Sequence, residues 1–165
     1  EEPSPELLLQ YVYAVLSSPV YRRRYADLLR ADFPRVPLPR DRGSFLELAG
    51  LGAVLIDLHL LRLDRLDRPR VRFEGTGTGK LTKREYRSAE RRAVINEEGQ
   101  SFDGIEPEVW AYRIGGYQVL DHWLAGRTER ALRFEEIEEF RRIAAAVGET
   151  IRVQRRIDEV WPLTS

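Results

Sequence analysis

Two histidines, His59 and His122, are the chain's only imidazoles, and it contains no cysteine. A zinc site would need carboxylates to complete it, and neither histidine stands in an HxxE or HExxH spacing. His59 falls at the end of an apolar helical face, where a polar neighbour is expected to satisfy it. Disulfides and a thiolate nucleophile are excluded. The run Gly75-Thr76-Gly77-Thr78-Gly79-Lys80 invites a phosphate-loop reading, but Leu81 follows Lys80 and Glu74 stands five residues before Gly79. Its GxGxG spacing is not the dinucleotide GxGxxG either, so a hairpin loop is expected. No GxSxG elbow, no Asp-Pro-Pro-Tyr or Asn-Pro-Pro-Tyr element and no Asp/Glu-x-Lys core occurs. Glu135, Glu136, Glu138 and Glu139 stand beside Arg141 and Arg142 at the i,i+3 and i,i+4 spacing of solvated helical ion pairs. These residues are not expected to catalyse a reaction.

Binding chemistry is better represented. Lys plus Arg and Asp plus Glu each number 27, yet they are unevenly distributed. Residues 1–19 carry −3, residues 20–92 carry +8, and residues 93–165 carry −5. Between Arg62 and Arg92 stand 11 bases and five acids, with Lys80, Lys83, Arg84, Arg87, Arg91 and Arg92 interleaved among Thr76, Thr78, Thr82, Tyr86 and Ser88. Cations interleaved with hydroxyls suit a reader of phosphate backbone and base edges. An arginine-rich solvated surface is the alternative. All bases except Lys80 and Lys83 are arginine, whose planar fork matches phosphate and guanine edges. Arg22, Arg23 and Arg24 would spread over about 200° of a helix, at roughly 100° per residue, and cannot all face one ligand.

The elements that would position these residues read as follows. Leu7, Leu8, Tyr11, Val12, Val15 and Leu16 form a helical stripe. Ser18-Pro19 starts a second helix with Tyr21, Tyr25, Leu28 and Leu29 on its buried face, ending before Pro34. The stretch from Phe33 to Pro39 cannot sustain helical bonding. A third helix starts at Ser44 with Glu47 completing a capping box. Its stripe is Phe45, Leu48, Leu51, Leu55, Leu58 and Leu61. After Pro69 the pattern changes. Val71–Phe73, Leu81–Arg87 and Arg92–Asn96 are strand candidates, Glu98-Gly99 is a turn before Phe102, and Val109–Ile114 reads better as strand than helix. Gly115-Gly116 leads into a helix holding Tyr117, Leu120, Trp123 and Leu124, stopped by Gly126. The last helix runs from Phe134 to Val160 with a soft interruption at Gly148. The fold class is α+β: N-terminal helices, a small mostly antiparallel sheet, then C-terminal helices.

Length and composition set the frame. At 165 residues, 42% hydrophobic and 33% charged, the chain suits one globular domain, 1–165. Its longest nearly apolar run, Phe45–Leu61, contains Glu47, Asp57 and His59, so no membrane span is expected. Glu1-Glu2-Pro3 has the wrong sign for a signal-peptide n-region, and a cytoplasmic location is expected. The chain lacks methionine even at position 1 and is expected to be a piece of something longer, or a processed product.

Three segments, in order, carry a family resemblance: Tyr11-Val12-Tyr13-Ala14-Val15-Leu16-Ser17-Ser18-Pro19-Val20-Tyr21-Arg22, then Phe33-Pro34-Arg35-Val36-Pro37-Leu38-Pro39, then Tyr112-Arg113-Ile114-Gly115-Gly116-Tyr117-Gln118-Val119-Leu120-Asp121-His122-Trp123-Leu124. The sequence resembles, from about Tyr11 to Ile157, the C-terminal specificity domain of Type ISP restriction-modification enzymes and related adenine-specific DNA methyltransferases. The resemblance implies a target-recognition module for double-stranded DNA within a longer chain. That chain would hold a nuclease, a helicase-like ATPase and an N6-adenine methyltransferase. S-adenosylmethionine, ATP and Mg2+ would belong to those other domains, and this one would need no cofactor. Segments shared by readers of different sequences suit scaffold or backbone contact. Tyr11–Tyr21 is therefore expected to pack, and Phe33–Pro39 to be a rigid connector from which Arg35 reaches a phosphate. Arg113, Gly115, Gly116 and Tyr117 form either a phosphate seat at a helix start or a tight turn with Tyr117 and Trp123 in the core. Lys80, Lys83, Tyr86 and Arg92 are expected on DNA, with Arg84, Arg87 and Arg91 on guanine edges. The rival is a module that docks on its parent's other domains, exposing apolar patches of the third and last helices when excised. A nuclease is the weakest reading.

Overall fold

The computed structural model describes residues 2–160, apart from the side chain of Arg65. The chain divides into two compact units, Glu1–Arg62 with Glu149–Ser165, and Leu63–Gly148.

The first unit is helical. α1 (Pro5–Ser17) is capped by the Ser4 hydroxyl, which accepts the Leu7 N–H at 3.2 Å. Ser18 caps α2 (Pro19–Arg24) in the same way, accepting from Tyr21 at 3.0 Å, as Ser18-Pro19 predicts. The expected second helix is broken. The backbone leaves helical geometry at Tyr25 (φ −106°, ψ 21°) and resumes as α3 (Ala26–Ala31), leaving Leu28 exposed rather than buried. The Pro-rich connector that follows has no helix or strand and is tied down by two buried tyrosines. Tyr11 donates its hydroxyl to the Pro37 carbonyl at 2.7 Å, and Tyr21 donates to the Arg35 carbonyl at 3.0 Å. Prolines offer no N–H for a ladder, so these carbonyl contacts anchor a run without regular secondary structure.

α4 (Arg42–His59) starts earlier than its sequence suggests. Asp41 lies three residues before Ser44 and accepts its N–H at 2.7 Å, a bond that also lowers the Asp41 carboxyl pKa. Glu47 forms no capping box and instead pairs with Arg156 of α7 (Phe134–Val160) at 2.5 Å. α1 and α4 pack closely because Gly52 has no side chain, and a Cβ there would stand 1.9 Å from the Gln10 carbonyl oxygen. Leu48, Leu55, Leu58, Ala14, Val15 and Tyr11 fill that interface. The end of α7 closes it. Gln154 donates to the Ser17 carbonyl, Asp158 accepts from the Ser18 hydroxyl, and Thr150 meets His59 Nε2 at 3.3 Å. Nδ1 of His59 lies 2.7 Å from the Tyr13 hydroxyl, so neighbours satisfy this ring as expected. Burial, aided by Arg22, lowers its pKa.

The second unit is built on a four-stranded antiparallel sheet. β1 (Arg72–Glu74), β2 (Glu85–Arg87), β3 (Arg92–Val94) and β4 (Ser101–Asp103) lie in the order β1-β4-β3-β2. β3 and β4 form a hairpin, its turn at Glu98-Gly99 as expected, with Gly99 at φ +83°. The expected hairpin loop at Gly75–Gly79 is instead a crossover, because β1 pairs with β4 and the chain must travel from one sheet edge to the other. Glu98 and Gln100 hold that crossover, accepting from Thr78 N at 2.6 Å and Gly79 N at 2.7 Å. One sheet face carries Phe73, Phe102, Ala93 and Tyr86 in register. It packs into a core where Phe140 of α7 lies 4.1 Å from Phe102 and 5.2 Å from Trp123, ring to ring.

Val109–Ile114 is not one strand. It divides into α5 (Pro107–Trp110) and β5 (Arg113–Ile114), which turns at Gly115-Gly116 into β6 (Tyr117–Gln118). α6 (Val119–Ala125) follows, so Tyr117 lies on a strand rather than in the helix. α7 starts with Phe134 exposed and continues unbroken through Gly148. Near its start, Glu136 is only 5% exposed and accepts from Arg130 at 2.7 and 2.9 Å, Arg127 at 3.2 Å and the Arg133 N–H at 3.0 Å. These bonds, Arg130's first, hold its carboxyl far below the usual range. Arg127 also lies over the Trp123 ring at 3.6 Å. Among the described residues, helices precede and follow a small antiparallel sheet along the chain, as the α+β expectation requires.

Candidate nucleic-acid interface

The edge strand β2, the 3-10 turn Ser88–Glu90 and β3 bring together Arg87, Arg91 and Arg92 of the cations singled out from sequence, while Lys80, Lys83 and Arg84 precede β2. Arg87 and Arg92 are direct cross-strand neighbours, and Arg92 faces Asp103, which faces Arg72. Opposed residues share a sheet face, so Arg87, Arg92, Asp103 and Arg72 form one row across all four strands. Sequence reasoning missed Arg72. Only the β1–β4 pairing brings it to that row, and nothing local signals that pairing.

Between β2 and β3 stands Arg91, with φ 52° and ψ 42°. A non-glycine residue in this left-handed region carries steric strain. Its carbonyl accepts from both Gly104 N and Ile105 N at 2.9 Å, which fixes the conformation. The strained turn presents the guanidinium outward, its side chain 62% exposed. Tyr86 points the other way, stacking on Trp110 at 4.9 Å and donating its hydroxyl to the Ile105 carbonyl at 2.7 Å. Burial raises the Tyr86 pKa, with Glu106 adding to it.

Each cation of this region has a carboxylate partner. Lys80 meets Glu129 at 3.3 Å, and Lys83 meets Glu85 and Glu97, both at 3.3 Å. Arg84 holds Asp121 at 2.8 Å, Arg87 holds Glu85 at 2.7 Å, Arg91 holds Glu106 at 3.0 Å, and Arg92 holds Glu90 at 3.1 Å. Arg87, followed by Lys83, lowers the Glu85 pKa, while Glu85 raises that of Arg87. The unit as a whole, residues 63–148, contains 16 bases and 16 acids. Of the +8 read along residues 20–92, the part inside this unit, +5 over residues 63–92, is balanced by −5 over residues 93–148.

The β5–β6 hairpin carries the remaining candidates of this unit. Gly115, at φ +58°, and Gly116 form its tip, and Arg113 donates to the Gly116 carbonyl at 2.5 Å. The seat at a helix start is not formed, since α6 begins at Val119, after β6. The tight-turn alternative holds for the glycines, while Tyr117 is 63% exposed, outside the core, with its ring 4.5 Å from His122. Arg35 belongs to the helical unit, where it is exposed and lies 3.7 Å from Asp32.

That helical unit holds a groove of about 660 Å³ lined by Leu7, Leu8, Tyr11, Leu38, Phe45 and Leu46. Among the described residues, no three His, Asp or Glu side chains are placed to share a metal ion, and no helix is long and apolar enough to cross a membrane.

The sequence model described as the Type ISP C-terminal specificity domain matches residues 1–156. No curated protein matches the chain. Among solved structures, the chain is similar to part of DrdV in a cryo-EM DrdV–DNA complex, with a TM-score of 0.76 and 23% identity over 98% of this chain and 18% of that one. It is similar to part of a nuclease-deletion mutant of the Type ISP restriction-modification enzyme LlaGI in complex with a DNA substrate mimic (TM-score 0.66, 21% identity, 97% of this chain and 14% of that one). It is also similar to part of LlaBIII, an ATP-dependent Type ISP restriction-modification enzyme bound to DNA (TM-score 0.68, 16% identity, 99% and 12%). The chain thus spans less than a fifth of the length of these structural relatives.

Proposed function

The chain belongs to the Type ISP C-terminal specificity domain family, and from that premise we propose that it recognises a target sequence in double-stranded DNA. The family match over residues 1–156 carries this reading. The surface that suits it best is the β2–β3 end of the sheet unit, where Arg84, Arg87 and Arg91 face base edges and Lys80, Lys83 and Arg92 face phosphates. Arg113, Gly115, Gly116 and Tyr117 give a second, projecting contact, and Arg35 a phosphate contact from the helical unit. The domain performs no chemistry itself. It holds the duplex so that a methyltransferase elsewhere in a longer chain can extrude an adenine for N6 methylation, with cleavage by a further domain.

The reading is tested on Arg84→Ala and Arg91→Ala against every single-base change in the preferred duplex. Removing a guanine reader abolishes roughly 1–3 kcal/mol of discrimination at one position and leaves the others intact. Uniform weakening at all positions would assign the residue to phosphate.

A second reading has its own observation in the apolar groove of the helical unit, whose Leu8, Leu38 and Leu46 are exposed. There the unit docks on other domains of its parent. The α4 stripe expected to mediate this is instead largely internal, with Leu48, Leu55 and Leu58 wholly buried.

A further inference from the structure

Arg84 and Arg91 are both held by acids in a particular way. Arg84 Nη1 lies 2.8 Å from each carboxylate oxygen of Asp121 and 3.3 Å from its carbonyl, and Arg91 Nη1 lies 3.0 Å from Glu106. Among the described residues, every side-chain hydrogen bond of these two arginines leaves from Nη1. A guanidinium has five N–H donors, so the Nε–Nη2 edge of each is left, among these residues, without a hydrogen-bond partner, as a two-donor fork.

We propose that Asp121 and Glu106 are specificity-determining residues that hold Arg84 and Arg91 for a guanine edge and keep them off phosphates. The proposal rests on the reading of this chain as a DNA target-recognition domain. Guanine offers O6 and N7, two neutral acceptors that the free edge can take while Nη1 keeps its acid. A phosphate is an anion. Brought to the same guanidinium it meets the carboxylate a few ångströms away, and like charges repel at that range. Each acid therefore leaves the cognate contact nearly untouched and penalises the sequence-independent one, which is selectivity by exclusion. The neutral charge of the whole unit acts in the same direction, since attraction to arbitrary DNA scales with the phosphates neutralised. Arg91 adds a second observation. Its left-handed backbone is an unfavourable place for arginine and aims the side chain at Glu106.

The test uses Glu106→Gln and Asp121→Asn in the whole chain, with Glu138→Gln on α7, whose carboxylate pairs with Arg141 and with neither of these arginines, as a control for loss of one negative charge. Affinity for the preferred duplex and for a scrambled duplex is measured across salt concentrations. An exposed ion pair competes with phosphate weakly, so each variant should bind the scrambled duplex up to about fivefold tighter. The slope of log K against log salt should steepen by about 0.9 per phosphate gained, and the preferred-to-scrambled ratio should shrink. Glu138→Gln should change none of these. Glu106 makes no side-chain cap bond in α5, so Glu106→Gln is expected to melt with the parent even if Asp121→Asn loosens α6. An unchanged ratio in variants of a chain that does select a motif would overturn this proposal alone. A parent chain that selects no motif would overturn the DNA reading beneath it as well.

Discussion

Replacing Arg91 by glycine is expected to leave the fold about as stable as before while removing a base reader. At φ 52° and ψ 42°, arginine bears a left-handed strain of about 1–2 kcal/mol that glycine does not feel. Against this, glycine adds unfolded-chain freedom of roughly 0.5–1 kcal/mol, and the exposed Arg91–Glu106 pair contributes up to about 0.5 kcal/mol. The balance runs from about 0.5 kcal/mol against glycine to about 1.5 kcal/mol in its favour, centred near 0.5 kcal/mol in its favour. For a chain of this size that is a change in Tm between roughly −2 and +6 °C. The same substitution at Arg87, where φ is −105°, relieves nothing and should lower Tm. Thermal melting followed by circular dichroism gives both values, and binding to the preferred and scrambled duplexes gives the functional loss. Arg91→Gly melting several degrees below the parent would refute the strain argument. Retained selectivity would refute the role assigned to Arg91.

Two further substitutions test the helical unit. Gly52→Ala places a methyl 1.9 Å from the Gln10 carbonyl oxygen, forcing α1 and α4 apart, and should cost roughly 1–3 kcal/mol by chemical denaturation; an unchanged midpoint would show that the helices can separate freely. His59 is held neutral, with a pKa below its ordinary value of 6.5, while the unfolded chain protonates at the ordinary value. The unfolded state thus binds more protons below about pH 6.5, and stability should fall as pH drops from 7 towards 5. His59→Gln should flatten that dependence, and an undiminished slope in the variant would remove His59 as its source.

What could be read from the residues was mainly what local chemistry decides. Ser18-Pro19 and the Glu98-Gly99 turn each announce themselves within one turn of chain, and the apolar stripe of α7 repeats along a single continuous helix. The start of α4 was misplaced because two competent caps, Asp41 and Ser44, lie one turn apart, and the earlier one is used. The sheet was legible as a sheet but not in its order. Its strands have three residues each, too few for a period of two to mark a face, and β1 pairs across 29 residues with β4 at Phe73 and Phe102. The masking acids were equally hidden, since Arg84 reaches Asp121 across 37 residues. A left-handed arginine at 91 carries no sequence mark at all, because glycine and asparagine are the residues that advertise that conformation.

The central claim, that this chain reads DNA sequence through the β2–β3 end of its sheet unit, is tested most directly by retention of a randomised duplex pool. Retained DNA is sequenced at two salt concentrations, for the parent chain and for Arg84→Ala and Arg91→Ala. The account predicts one enriched motif that persists at the higher salt and loses definition at separate positions in the two variants. Retention without enrichment that vanishes at the higher salt, or no retention at either, would contradict it.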